Sequence, residues 1–318
     1  MMLPLFDEPP TFRRDLLAEK LRRLADQSIY LGTSSWKYEG WLGQIYSRDR
    51  YTTRGRFAQK RFQDECLAEY AETFPVVCGD FTFYQFPSEQ YWRKLFTTAG
   101  PSLRFAFKVP EEITVREFPG HPRYGARAGK QNPSFLDAGL FRGMFADLLE
   151  PYRGRVPVLI FEFGTFSKRH YEDAAAFVKD LDPFLARLPS GFRYSVEIRN
   201  PDYLAPEYFA CLRSHGAAHV FNAWSRMPEL ERQVRLQDAW TADFIVTRAL
   251  LRRGRVYEDA VDTFSPYDHI QDPNPGARGA IRDMIRTARA QRRQAYIFVN
   301  NRLEGNAPGT IEAILEDD

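Results

Sequence analysis

Short apolar runs recur along the chain, and nearly every one ends on a polar or charged residue. They read LGTSSW (31–36), VCGDFTFY (77–84), LRFAFK (103–108), VLIFEFG (158–164), YSVEIRN (194–200), HVFNAW (219–224), DFIVTR (243–248) and AYIFVNN (295–301). Runs this short suit strands buried on both faces. Polar stretches with helical spacing separate them, near 56–73, 88–98, 138–150, 171–187, 205–214, 228–235, 276–291 and 308–315. Even the shortest interval between runs can hold a crossover helix, so parallel strands follow. Eight strands alternating with helices predict an α/β fold of the TIM type, a parallel eight-stranded (β/α)8 barrel. The intervals after strands 1, 3 and 7 are long, which places extra loop at the carboxyl ends of the strands. Residues 11–27 (TFRRDLLAEKLRRLADQ) form an amphipathic helix ahead of the first strand, expected to cover the barrel bottom. The division is an arm and helix over 1–28, residues 1–10 being a loose arm, and one barrel domain over 29–318.

Composition adds bounds. The chain has 318 residues, somewhat more than the roughly 250 of a usual barrel, and 26 Phe, 16 Tyr and 5 Trp supply a large core. A net charge of +2 gives no global pull toward nucleic acid or membrane. Cys66, Cys78 and Cys211 lack metal-ligand spacing and suit reduced thiols. No apolar window of about 18 residues would span a bilayer. The first ten residues lack the segments of a secretory leader, so a cytoplasmic protein is expected. Nothing in the sequence sets the oligomeric state.

In a barrel the strand carboxyl ends carry the chemistry. Period-two alternation puts Asp80, Thr82 and Tyr84 on one face of strand 2 and ends strand 3 on Lys108. It groups Ile160 with Glu162, Ser195 with Glu197 and Arg199, and Val246 with Arg248; strands 6 and 8 contribute Asn222, Asn300 and Asn301. Glu162 and Glu197 fall on adjacent strands, about 4.8 Å apart at the backbone if in register. Close carboxylates raise one another's pKa, which suits acid/base work, and Asp80 joins them as a third catalytic candidate. Lys108, Arg199 and Arg248 are candidates to hold a substrate anion; a static ion network among these residues is the structural alternative. The five histidines make neither HxH nor HExxH spacing. No cofactor is evident, although Asp80, Glu162 and Glu197 leave room for oxygen-ligated Mg²⁺ or Mn²⁺.

Three loops on the same face are basic: 46–61 (with Arg48, Arg50, Arg54, Arg56, Lys60 and Arg61), 115–133 (with Arg116, Arg123, Arg127 and Lys130) and 252–255 (Arg252, Arg253 and Arg255). Together they would focus a positive field at that end. Aromatics cluster nearby: Trp36, Tyr38, Trp41 and Tyr46, then Phe83, Tyr84 and Phe86. They either stack a ligand or pack beneath a loop. Trp36, Tyr84, Arg123 and Arg127 join the binding candidates. The turn 300–310 leads into a final helix whose N-terminus could receive a phosphate.

GTSSWKYEGWLGQIY (32–46), TFYQFP (82–87), FAFKVPEEIT (105–114), VEIRNPDYL (196–204), ADFIVTR (242–248) and YIFVNNRLEGNAP (296–308) resemble, in this order, the YecE-like family, domain of unknown function 72. The resemblance implies a TIM-barrel-like fold and no established activity. Cys78 and Asp80 replace the family's usual Glu and Asn before TFY, and Glu162, Phe163 and Gly164 replace a Gln-Pro-Pro. The usual Arg-x-His-Gly reads Arg248, Ala249, Leu250, Leu251, so a variant subgroup is expected.

The leading functional reading is an enzyme, a hydrolase or lyase, acting on an anionic, phosphate-bearing or nucleotide-like substrate. The alternatives are a non-catalytic nucleic-acid or ligand-binding barrel and a divalent-metal-dependent, nuclease-like hydrolase.

Overall fold

The computed structural model describes residues 12–316; the arm expected over residues 1–10 lies outside them. Eight parallel strands close into a ring in chain order: β1 (Ile29–Thr33), β2 (Val76–Gly79), β3 (Arg104–Lys108), β4 (Leu159–Phe163), β5 (Tyr194–Ile198), β6 (Ala218–Ala223), β7 (Phe244–Ala249) and β8 (Gln294–Val299). The eight-stranded barrel read from the sequence is the fold. β1 shuts the ring by pairing with both β8 and β2. Gly32 sits at that second seam, where a Cβ would meet the Val76 carbonyl oxygen at 1.8 Å. Only glycine lets the two backbones approach so closely.

Alternation sorts each strand between two cores. Val76, Cys78, Ala106, Val158, Ile160, Val220, Val246 and Phe298 fill the barrel interior. The intervening positions, among them Phe105, Phe107, Phe161, Phe163, Phe221 and Ile297, face the surrounding helices. Those helices include Gln59–Thr73, Glu89–Thr98, Ala174–Leu185, Pro206–Ser214, Pro275–Gln291 and Ala307–Leu315. Side-chain caps start several of them: Ser88 Oγ accepts from Tyr91 N, Asp173 Oδ1 from Ala176 N and Asn274 Oδ1 from Ala277 N. Each cap satisfies a backbone donor that the first helical turn leaves open.

The long loops after β1, β3 and β7 all lie at strand carboxyl ends, as expected. The first carries a small hairpin, Thr52–Thr53 with Arg56–Phe57. The leading helix, Arg14–Asp26, buries Leu17, Leu21 and Leu24 in the outer core. It runs past the carboxyl ends of three wall helices: Arg14 meets Glu69 and Glu72 of the Gln59–Thr73 helix, Lys20 the Leu315 carbonyl, and Gln27 the Arg289 side chain. At the amino-terminal end, Tyr30 and Tyr296 stack at 5.4 Å, with Arg104 over Tyr30. No helix among the described residues is long and apolar enough to cross a membrane.

His219 shows what the outer core does to a titratable group. It lies on β6 with its ring against Tyr208, Phe209 and Phe221, and Tyr208 Oη meets its Nδ1 at 3.2 Å. Burial pushes its pKa down to about 3, only partly countered by the nearby Gln233 side chain. The unfolded chain therefore binds a proton that the fold refuses between about pH 6.5 and 3. Stability attributable to His219 is complete above that window and falls by up to about 1.4 kcal/mol per pH unit within it. Urea unfolding of wild type and His219→Gln across pH 3–7 is expected to show a shallower acid loss in the variant; parallel curves would contradict this.

Candidate functional site

β2 ends at Gly79 and the chain turns into a 3-10 segment, Asp80–Phe83. The extended alternation expected over Asp80, Thr82 and Tyr84 is therefore broken. Thr82 buries its hydroxyl on the Gly79 and Lys108 carbonyls, and Tyr84 is left 61% exposed. Asp80 still reaches the mouth, because the turn swings it across the strand end.

There six charges meet. Glu162 and Glu197 are in register on β4 and β5. Arg248 Nη1 donates to Glu197 Oε2 at 2.6 Å and also to Glu162 Oε2, while its Nη2 donates to Asp80 Oδ1 at 2.8 Å. Arg199 Nη2 lies 2.6 Å from Glu197 Oε1 and 3.1 Å from Glu162 Oε2. Lys108 Nζ lies 3.0 Å from the same Glu162 oxygen. Three carboxylates thus balance three cations, with Arg248 as the hub. The Glu197 and Arg248 side chains are 0% and 2% exposed, Glu162 14% and Asp80 31%.

The electrostatics differ from the expected pair of mutually elevated carboxylates. Burial alone would raise Glu162, but Lys108, Arg199 and Arg248 hold it well below the ordinary carboxylate range. Arg248, despite its burial, is held well above its usual value by Glu197, Asp80 and Glu162. Cys78 lies beside Asp80, and burial drives its pKa up, so it is a thiol and not a ready nucleophile. The Glu162 oxygens are unequal. Oε2 receives all three cations, whereas no bond to Oε1 is present among the described residues.

Two aromatic faces complete the site, and sequence reading missed their role. Lys108 Nζ sits 3.8 Å above the Phe83 ring and the Arg199 guanidinium 3.9 Å above Trp224. Trp224 ends one apolar run and Phe83 stands one residue before the end of another, which was the available signal. Each shields one side of a cation from water while leaving its charge intact.

Other candidates have structural duties. Asn222 donates to the Ile198 and Val220 carbonyls from within the barrel, its Oδ1 buried without a partner. Asn300 Oδ1 caps the turn of helix at Asn301–Glu304. Asn301 Oδ1 accepts from Trp41 Nε1 and Ala307 N, and Asn306 Oδ1 accepts from Gly309 N. The final helix start is thus capped from within, against the expectation of a phosphate there.

Trp36 is 5% exposed, edge-on to Phe81. It lines a flank cleft with Gln63, Leu67, Tyr91 and Leu95, where the one ion pair is the exposed Lys94–Asp64. Trp41 and Tyr46 pack beneath their loop with Tyr51 and Phe62.

The basic loops carry their own acids. Arg123 pairs with Glu111, Arg127 with Glu112, Arg116 with Asp180, Arg50 with Glu72, Arg61 with Glu65, and Arg252 and Arg255 with Asp272. That pairing offsets part of the expected positive field, while Arg48, Arg54, Arg56, Lys60, Lys130 and Arg253 have no ion pair among the described residues. Folding also gathers Asp182, Cys211 and His215 on two outer helices, a grouping that separation in sequence conceals.

The family profile described as "Protein of unknown function DUF72" matches residues 30–317. The chain belongs to the DUF72 family. Among solved structures, a DUF72 protein of Thermotoga maritima aligns at 20% identity and TM-score 0.58, covering 90% of this chain and 97% of that one. A DUF72 protein of Enterococcus faecalis aligns at 14% identity and TM-score 0.57, covering 91% and 96%. At such identities the likeness speaks for the barrel alone. No curated protein matches this DUF72 chain.

Removing the hub should be severe. Arg248→Met leaves three gathered carboxylates with two cations, an expected loss of about 3–5 kcal/mol. Adding Glu197→Gln to that variant should restore part of it. Urea denaturation checks both; an Arg248→Met protein as stable as wild type would contradict the hub.

Proposed function

We propose that this DUF72 barrel is an enzyme whose active site is the charged mouth, performing proton-transfer chemistry of the hydrolase or lyase kind on a small anionic substrate. The observation that carries this is the pinning of Glu162 Oε2 by three cations while Oε1 stays open. The same strands place Val76, Ala106, Ile160, Val220, Val246 and Phe298 in the interior, so barrel closure needs no ions. Buried ion clusters are usually no more stabilising than apolar packing, which makes six of them at a barrel mouth a mark of use.

In this reading Glu162 Oε1 is the base and the Lys108 ammonium the acid. At rest the carboxylate is too well stabilised to take a proton readily. A substrate oxygen that draws Lys108 away removes one of its three cations, and its basicity rises as the substrate arrives. The proton leaves the substrate, or an attacking water, for Oε1, and Lys108 protonates the leaving oxygen. Glu197, fully buried, holds Arg199 and Arg248 in position.

The nucleic-acid-binding alternative has less support, because Arg123 and Arg127 are already paired with Glu111 and Glu112, although Arg54 and Arg56 have no ion pair among the described residues. For the metal-dependent alternative, the Arg248 guanidinium bonds Asp80, Glu162 and Glu197 together, the position a divalent cation would need. Those residues as arranged do not fit such an ion.

Glu162→Gln leaves three cations with two carboxylates and is expected to lose stability, so its fold is checked by circular dichroism; the folded variant is expected to lose at least about 100-fold in turnover on whichever member of a phosphate-ester and carboxylate library the wild type consumes. Turnover retained by the folded variant would overturn the assignment of Glu162.

A further inference from the structure

The six charges at the mouth cancel, and every cation in that cluster is already committed to a carboxylate. An anionic substrate therefore needs another positive group. Arg302 supplies one. It follows β8 on the short helical turn Asn301–Glu304, and among the described residues it pairs with no carboxylate. Its guanidinium lies 4.4 Å over the Tyr257 ring, its charge acts on the Tyr267 phenol, and its Nε is buried without a partner.

Two separate paths tie this arginine to the cluster. Tyr38 lies within the electrostatic reach of both Arg302 and Asp80, and its ring packs edge-on against Tyr267 at 5.4 Å. On the other side, Arg199 stacks on Trp224, whose ring is 6.4 Å from Tyr257, beneath Arg302. Arginine and aromatic groups thus run across the mouth from the balanced charges to an unbalanced one. A planar guanidinium with an unfilled donor, set among the hydroxyl-bearing rings of Tyr38, Tyr257 and Tyr267, suits a phosphate or carboxylate oxygen.

We infer that Arg302, with Tyr38, Tyr257 and Tyr267, forms the subsite that holds the anionic group of the substrate, in the role that sequence reading gave to Lys108, Arg199 and Arg248. This rests on the active-site reading above and adds the residue that fixes the substrate's charged end. A phosphate monoester and a carboxylate share the required chemistry. Phosphate offers more oxygens to an arginine flanked by hydroxyls, and so is expected to bind more tightly.

Calorimetric titration with inorganic phosphate, and separately with acetate, distinguishes the two. Wild-type protein is expected to bind phosphate, Arg302→Met to lose at least about tenfold in affinity, and Arg302→Lys to fall between, keeping the charge without the fork. Tyr38→Phe, a mild change that keeps the ring, should weaken binding less than Arg302→Met. Tighter binding of acetate than phosphate would reverse the assignment of the anion's chemistry. Wild-type affinity in a folded Arg302→Met protein, or no binding of either anion by wild type, would overturn the subsite. Turnover is read separately: activity lost in Glu162→Gln with unchanged phosphate binding in Arg302→Met would defeat the subsite and leave the catalytic reading intact. Binding lost in Arg302→Met with no turnover by wild type would do the converse.

Discussion

The contact of one guanidinium with three carboxylates organises this molecule's working end. Arg248 reaches Asp80 after β2, Glu162 on β4 and Glu197 on β5, so a single side chain from β7 fixes the relative positions of four strand ends. Ions this deeply buried are tolerated only when every charge is met. That requirement explains the rest of the arrangement: Arg199 and Lys108 arrive on the carboxylate oxygens, and Trp224 and Phe83 cover them. Replacing any one member leaves its partners uncompensated.

The consequence for function is a site that is neutral and rigid at rest. Glu162 is held as an anion, and its reactivity depends on what a ligand does to its three partners. The two acids in positions where the family resemblance leads one to expect amides, Asp80 and Glu162, are the ones that bring the balance to zero. With amides at those two positions and Cys78 retained, three cations would face Glu197 alone, and an anion could bind the hub directly. In this chain that route is closed, and the proposed subsite therefore lies outward, at Arg302.

Much of this was legible in the sequence. Runs as short and apolar as VLIFEFG and AYIFVNN announce buried parallel strands, and their spacing announces the barrel. Strand-end position then singled out Asp80, Lys108, Glu162, Glu197, Arg199 and Arg248, which do converge. What the pattern could not give was the direction of each side chain once regular structure stopped. Alternation continued through Tyr84, whereas the strand ends at Gly79, since Thr82 gains more from two carbonyl acceptors inside a turn. Asn300 and Asn301 looked like ligand groups, but backbone donors at helix starts claim them first. The arginines of the long loops looked free because their acids, such as Glu72 and Asp180, lie on helices distant in sequence. Arg302 was overlooked for the opposite reason: its lack of an acid is visible only in three dimensions.

The central claim is that the mouth is an ionised, charge-balanced lattice in which Glu162 is a stabilised anion. Carbon-13 NMR of the glutamate side-chain carboxyls, assigned with Glu162→Gln and followed from pH 7 downward, tests it most directly. The account predicts that the Glu162 resonance stays at its ionised position through the ordinary carboxylate range, near pH 4.3, until the protein itself unfolds. A titration centred near or above neutrality would mean a protonated Glu162 at rest, and the lattice as described would not exist.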